Sequence, residues 1–114
     1  MKRQEMGTIR VANDVVYTLV AEAVAKTEGV YQLLGYEKQQ VDKKNKNGPV
    51  VDFTDDRNFV QVTIVADEGY SILATAENVQ KNIQEQLMSM LRIDAKDIHV
   101  IVHSVHYENP KKAK

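Results

Sequence analysis

The sequence contains no cysteine and no tryptophan, and it has only two phenylalanines and two prolines. The absence of cysteine excludes disulfide bonds, thiolate nucleophiles and cysteine-ligated zinc. Because large aromatic residues are so scarce, aliphatic side chains must fill most of any core. Hydrophobic residues make up 43% of the 114 positions, which is the usual share for a soluble globular chain of one domain.

Neither sign of charge dominates, since 15 Lys and Arg residues are balanced by 16 Asp and Glu residues. A dedicated duplex-DNA binder needs a basic excess to neutralise phosphates, so the balance argues against that class. Long apolar runs are also missing: segments such as 62–66 are too short to span a bilayer, and no secretory signal follows the N-terminus. These features predict a cytoplasmic protein without direct membrane insertion, in which a partner provides any link to the membrane.

Two amphipathic helices are predicted from residues that recur at helical spacing. Asn13 and Asp14 suit the start of the first helix, where a short polar side chain can accept an unpaired backbone N–H, and Gly29 suits its stop. Ser71 can cap the second helix. The apolar positions of the first helix are Val15, Val16, Leu19, Val20, Ala23 and Val24, and those of the second are Ile72, Ala76, Val79, Ile83, Leu87, Met90 and Leu91.

Extended segments are predicted from alternation and from turn residues. They are Thr8–Val11, Val30–Tyr36, Val50–Thr54, Phe59–Ala66 and a last strand around Ile98–Val102, with residues 55–58 as a hairpin turn and 37–49 as an exposed loop. Two amphipathic helices and an alternating sheet bury each other's apolar sides when the helices cover one sheet face. We therefore predict an α+β two-layer sandwich in strand-helix-strand-strand-helix-strand order, with both helices on one face of a mainly antiparallel sheet.

The predicted domain organisation is simple: residues 1–6 form a flexible lead-in, residues 7–107 a single domain, and residues 108–114 a basic tail.

The histidines do not form a predicted active site. His99 and His103 should share one strand face about 13 Å apart, which is too far for a common metal, and His106 should point to the opposite face. Ser104 lies beside His103, but neighbours in a strand alternate faces, so a nucleophile–base pair is not expected there. The glycines follow no phosphate-binding spacing. We therefore expect no enzyme activity, no catalytic residue, no metal and no cofactor, and a hydrolase that uses these histidines serves only as a contrasting hypothesis.

Two surfaces are candidates for binding. The outward face of the last strand, with His99, Ile101, His103 and Val105, exposes apolar side chains if helices cover only the other face, which predicts homo-oligomer formation or partner docking. The second surface is a basic loop that contains Lys38, Lys43, Lys44 and Lys46. It supports an alternative function as an RNA-binding module, although Glu37 and Asp42 dilute its charge.

Several short motifs together resemble the alkaline shock protein family, which consists mainly of proteins from Gram-positive bacteria. They are Gly7-Thr8-Ile9-Arg10-Val11-Ala12-Asn13-Asp14-Val15-Val16, Thr27-Glu28-Gly29-Val30, Gly69-Tyr70-Ser71-Ile72, Ala76-Glu77-Asn78-Val79-Gln80, and the apolar positions Met90, Ile93, Ile98, Val100 and Val102. The resemblance covers residues 7–105. The chain departs from the family pattern at Leu73 and Ala74, where Pro and Glu are usual, and at Arg92, where Gly is common.

The resemblance implies a non-enzymatic cytoplasmic stress protein linked to cell-envelope homeostasis. It also implies an abundant protein that a small membrane-anchored partner protein can hold at the membrane, and a link of some members to fatty-acid metabolism. The family has no agreed catalytic or ligand-binding residues, so none are carried over. We accordingly expect an interaction or scaffold protein that acts through self-association and partner docking.

Overall fold

The computed structural model describes residues 7–108, and within them the chain forms two α-helices and six β-strands. The elements are α1 (Asn13–Ala25), β1 (Val30–Leu33), β2 (Tyr36–Glu37), β3 (Gln40–Val41), β4 (Val50–Asp52), β5 (Phe59–Asp67), α2 (Ile72–Leu91) and β6 (Asp97–His106). A 3-10 turn at Thr54–Asp56 joins β4 to β5, as the hairpin prediction requires. The predicted lead-in and residues 109–114 of the predicted tail lie outside the described residues.

Strand β5 is the centre of the main sheet. One of its edges pairs antiparallel with β4 near the start of β5 and with β1 near its end. Its other edge pairs with β6 along its whole length, and this pairing is parallel. Strands β2 and β3 form a separate small hairpin. The prediction of a mainly antiparallel sheet is confirmed, with the β5–β6 pair as its parallel part.

Both helices pack on one face of this sheet. Alternate residues of β5 point toward them and are almost completely buried, as are the inward residues of the helices. These core residues are Val60, Val62 and Ile64 of β5, Val20, Ala23 and Val24 of α1, and Val79, Ile83 and Leu87 of α2. The predicted α+β two-layer sandwich is therefore confirmed, and an aliphatic core fills it.

The ends of the helices only partly follow the predicted caps. The Ser71 hydroxyl accepts a hydrogen bond from the Ala74 N–H at 3.2 Å, so the predicted cap of α2 is confirmed. The prediction of a side-chain cap on α1 is wrong, because Asn13 is already helical and the capping position is Ala12, which has no polar side chain. Arg92 has a φ of 56° at the end of α2, which is the left-handed conformation that favours the glycine common in the family.

Two further differences concern the strands. Residues 8–11 form no strand; Val11 packs against the core while Ile9 is 49% exposed. The predicted element order also undercounts the strands, because the segment expected to be an exposed loop contains β2 and β3. The first of these short strands begins after Gly35, where a φ of 73° turns the chain and ends the strand predicted for Val30–Tyr36.

A pair of β-bulges interrupts the sheet on both edges of β5. On β6, Ile64 faces Val102 and Val65 faces Ser104, so His103 is an extra residue. On β1, Tyr31 is extra in the same way. A bulge shifts the alternation of side chains by one residue, so the strand residues that follow it change faces.

Candidate protein-interaction face

The sheet face opposite the helices is here called the open face. Its residues are Phe59, Gln61, Thr63, Val65 and Asp67 of β5, their partners Asp97, His99, Ile101, Ser104 and His106 of β6, Val50 and Asp52 of β4, and Tyr31 and Gln32 of β1. Both helices bury their apolar sides against the other face. Within residues 7–108, therefore, no helix covers the open face.

Apolar side chains are distributed along the length of the open face. Ile101 is 45% exposed, Val50 is 41% exposed and Tyr31 is 52% exposed, while Phe59 and Val65 are half-buried. Exposed aliphatic groups on one sheet face are characteristic of a surface that another chain covers.

One polar cluster lies at the end of the open face where β5 begins. His99 Nε2 lies 2.6 Å from Asp97 Oδ1, and the His99 ring is 5.2 Å from the ring of Phe59. The guanidinium of Arg57 lies 5.6 Å from the centre of the same phenyl ring and donates to Asp52 Oδ2 at 3.0 Å. Charged groups of both signs are thereby held around a single aromatic ring.

Local hydrogen bonds lower the pKa of Asp52 in this cluster. The largest cause is the Thr54 hydroxyl, which donates to Asp52 Oδ1 at 2.6 Å, followed by the Thr54 backbone N–H and the charge of Arg57. Because the folded-state pKa is lowered, the contribution of Asp52 to stability is fully present above its ordinary value of 3.8. That contribution is lost as the pH falls through the lowered value.

Replacing Thr54 with valine is expected to raise the pKa of Asp52 toward its ordinary value, because the hydroxyl donor with the largest effect is removed. An NMR titration of the Asp52 carboxyl carbon measures this change. Thr54→Ser is the matched control, since it keeps the hydroxyl and should leave the titration unchanged. Identical titration curves for the valine and serine variants would contradict this assignment.

A second cluster lies at the other end of the open face. The rings of Tyr31 and His106 are stacked with centroids 3.7 Å apart and planes 7° from parallel. His106 Nδ1 lies 3.3 Å from Asp67 Oδ1, which links the ends of β5 and β6. Both bulges contribute to this arrangement, since Tyr31 is itself a bulge residue and His106 follows the bulge at His103.

The bulge at His103 corrects the predicted outward face of β6. His99, Ile101 and His103 are exposed, but Val105 pairs with Ala66 and turns to the helix side, where it is half-buried. His106, predicted on the opposite face, joins the open face instead.

Ser104 is also closer to a histidine than alternation predicts. His103 Nδ1 lies 3.3 Å from the Ser104 hydroxyl, because the bulge places both side chains on the same side of the strand. Both residues are exposed on this flat face.

The basic loop is arranged around the β2–β3 hairpin. Lys38 lies in its turn, while Lys43, Lys44 and Lys46 follow β3, and all four are exposed. Asp42 Oδ1 accepts a hydrogen bond from the Lys44 backbone N–H at 3.0 Å, so a carboxylate is held among the lysines. A cleft of about 310 Å³ between this hairpin and α1 has both Lys43 and Asp14 in its lining. The loop therefore presents mixed charge.

The sequence interpretation named only His99 and Ile101 of the residues that form the open face, and the aromatic and acidic residues that it missed include Tyr31, Phe59 and Asp67. Phe59 and Asp67 alternate with the buried residues of β5. The alternation of that strand was therefore enough to predict that their side chains lie on the opposite face. Tyr31 gave no such signal, because its orientation depends on a bulge.

Across residues 7–108 there is no group of three or more His, Asp or Glu side chains arranged for a metal ion. None of the helices in that part of the chain is long and apolar enough to cross a membrane.

Comparisons with known proteins address the family and the fold. A solved structure of a MamM CTD variant is similar, with a TM-score of 0.51, 14% sequence identity, and coverage of 81% of this chain and 94% of that chain. At this identity the likeness shows a shared fold. No curated protein matches the sequence significantly. The model of the alkaline shock protein 23 family, described as having a cell envelope-related function, matches residues 1–107. The resemblance found in the sequence is thus confirmed, and the chain belongs to the alkaline shock protein family.

Proposed function

We propose that this protein is a non-enzymatic scaffold of the cell-envelope stress response, cytoplasmic and peripheral to the membrane. It docks a membrane-anchored partner protein on its open face and associates with copies of itself. The single observation that carries this proposal is the uncovered sheet face, on which Ile101, Val50 and Tyr31 are each at least 41% exposed. The cell envelope-related function of the family agrees with this proposal.

The open face has the composition of a protein–protein interface. Ile101 and Val65 lie between two polar clusters, one around His99 and Asp97 and the other around His106 and Asp67. Interfaces typically combine an apolar centre, which drives association, with a polar rim, which sets orientation. Burying one exposed aliphatic side chain contributes roughly 1 kcal/mol, so binding needs several of these residues together.

Replacing Ile101 with glutamate is expected to weaken capture of the membrane partner tenfold or more, because a charge at the centre of an apolar contact must be desolvated. The measurement is recovery of membrane proteins from native cells, with and without detergent, on tagged wild-type and variant protein. Met90→Glu is the matched control, since Met90 is 59% exposed but lies on α2 in the other layer.

A photo-reactive residue at position 101 identifies the docking surface directly. We expect it to cross-link the same membrane protein that the wild type recovers, whereas the same probe at position 90 should not. Equal cross-linking at both positions, or equal recovery by both glutamate variants, would refute docking on the open face. Recovery of RNA that weakens steeply with salt, and that is lost in a variant with Lys43 and Lys44 reversed in charge, would instead favour the alternative function.

A further inference from the structure

The outer edge of β6 pairs with no other strand within residues 7–108, where the strand partner of this ten-residue strand is β5. The Asp97 N–H donates to the Asn58 carbonyl at 3.4 Å, and the His106 carbonyl accepts from the Glu68 N–H at 3.1 Å. Both residues therefore direct backbone groups toward the β5 side. Because alternate residues of a strand point their backbone groups to opposite edges, those of Ile98, Val100 and Val102 point outward.

A side-chain contact supports this orientation. Gln80 of α2 donates from Nε2 to the Ile98 carbonyl at 2.9 Å, which requires a carbonyl directed away from β5. The edge carries little of the protection that isolated edge strands usually have. Residues 97–106 contain no proline, lysine or arginine, and the bulge at His103 interrupts only the second half of the strand.

The part of β6 up to the bulge residue His103 can pair with the same segment of a second copy. In an antiparallel pairing of residues 97–103 centred on Val100, Val100 faces its own copy and Ile98 faces Val102. These are the residues whose backbone groups point outward, so they form the hydrogen-bonded pairs of the ladder. On the helix side, the half-buried Ile98, Val100 and Val102 then cover one another.

The open-face side chains match in the same register. Asp97 faces His103 of the second copy, so a carboxylate acceptor meets a ring that can donate, and His99 faces Ile101. Centring the pairing on Ile101 instead places two histidines opposite each other and directs backbone groups of Ile101 that already point to β5. Centring it on Val102 draws the bulge into the ladder. The register about Val100 is therefore the favoured one.

We propose that β6 pairs with β6 of a second copy of this chain, antiparallel about a two-fold axis at Val100. The two sheets join into one continuous sheet with all helices on the same side, and Gln80 releases the Ile98 carbonyl to the new strand. This inference rests on the proposed self-association and names the surface that performs it, while it leaves the open face accessible.

Cysteine cross-linking tests the register, because the natural sequence has no cysteine. In the proposed dimer, positions 99 and 101 of opposite copies form a non-hydrogen-bonded pair with Cα atoms about 4.5 Å apart, which is within the range for a disulfide. Purified His99→Cys and Ile101→Cys proteins of different tag length should form a mixed disulfide dimer when combined under mild oxidation. Mixing His99→Cys with Ser104→Cys is the control and should form little mixed dimer.

A proline substitution tests the hydrogen bonds of the edge. The Val100 N–H points away from β5, so Val100→Pro removes a donor of the dimer ladder and none of the β5–β6 ladder. We expect the dimer dissociation constant to rise tenfold or more in sedimentation, with an unchanged far-UV circular dichroism spectrum. Val105→Pro is the matched control, since the Val105 backbone N–H also points away from β5 but lies beyond the paired segment, and this variant should leave dimerisation unchanged.

The outcomes separate this inference from the proposed function. A wild type that stays monomeric at all concentrations, with no mixed disulfide, overturns the inference. Recovery of the membrane partner by that same monomeric wild type would leave the proposed docking function standing. The inference is also overturned if the wild type dimerises, no mixed disulfide forms, and Val100→Pro dimerises as well as the wild type. That result would place self-association on another surface. Should Val100→Pro fail to fold, the cross-linking result alone decides.

Discussion

Replacing Leu87 with alanine is expected to lower the free energy of unfolding by roughly 2–5 kcal/mol, a large share of the stability of a domain of this size. Leu87 is 0% exposed and packs in the core that α2 shares with α1 and β5. The truncated side chain leaves a cavity. The same core contains β-branched residues with few rotamers, such as Val60 and Ile83, which cannot move far to fill the cavity.

Urea unfolding of the wild type and the variant measures this effect. Met88→Ala is the matched control, because Met88 is the next residue on the same helix and is 44% exposed. It should change the free energy of unfolding by roughly 0.5 kcal/mol or less. Similar losses for the two variants would show that residue 87 is not packed as described.

Replacing Gly29 with alanine is expected to cost roughly 2–4 kcal/mol of unfolding free energy, for two reasons that add. Gly29 has a φ of 93°, a conformation that side chains rarely adopt. A Cβ atom there would also lie 2.5 Å from the hydroxyl oxygen of Thr75 and 3.1 Å from Cγ of Tyr70. Thr75 is buried, so it has no room to retreat.

Gly69→Ala separates these two costs. Gly69 has a similar φ of 88°, but a Cβ atom there would meet nothing within 4 Å. This control should therefore lose only the backbone part, roughly 1–2 kcal/mol. Thermal or urea unfolding measures the loss of unfolding free energy in both variants. The difference between the two losses is the cost of the steric clash between the new Cβ atom and Thr75. If both variants lost the same unfolding free energy, that result would contradict the close packing of α2 on the turn after α1.

Most of the two-layer architecture could be predicted from the sequence, because its signals are local. The spacing of Val79, Ile83 and Leu87 requires one apolar side of a helix, and all three are buried in the core. Ser71 caps that helix as its position predicts. In β5, the alternation that predicted the buried face through Val60 and Val62 also holds, although Thr63 on the opposite face is buried as well.

Other elements could not be predicted, because their signals are short or depend on distant partners. Residues 8–11 alternate like a strand but pair with no strand within residues 7–108. The strands β2 and β3 have two residues each, which is too short for an alternation of apolar and polar residues to be recognised. The parallel direction of β6 follows from the connection through α2, which returns the chain to the same end of the sheet.

By itself, the sequence determined the family, the α+β layers and most of the buried side of each helix. Val15, Ile72 and Met90 were predicted on those sides too, but they are exposed. Only the tertiary structure decided which β6 side chains reach the open face and which edge of that strand is free. Alternation assigns faces correctly only while every residue has one partner across the ladder. The extra residue at His103 breaks that condition, so Val105 turns inward and His106 turns outward to stack on Tyr31. A bulge of this kind is set by how β6 must fit against the whole of β5, and the residues around position 103 do not encode it.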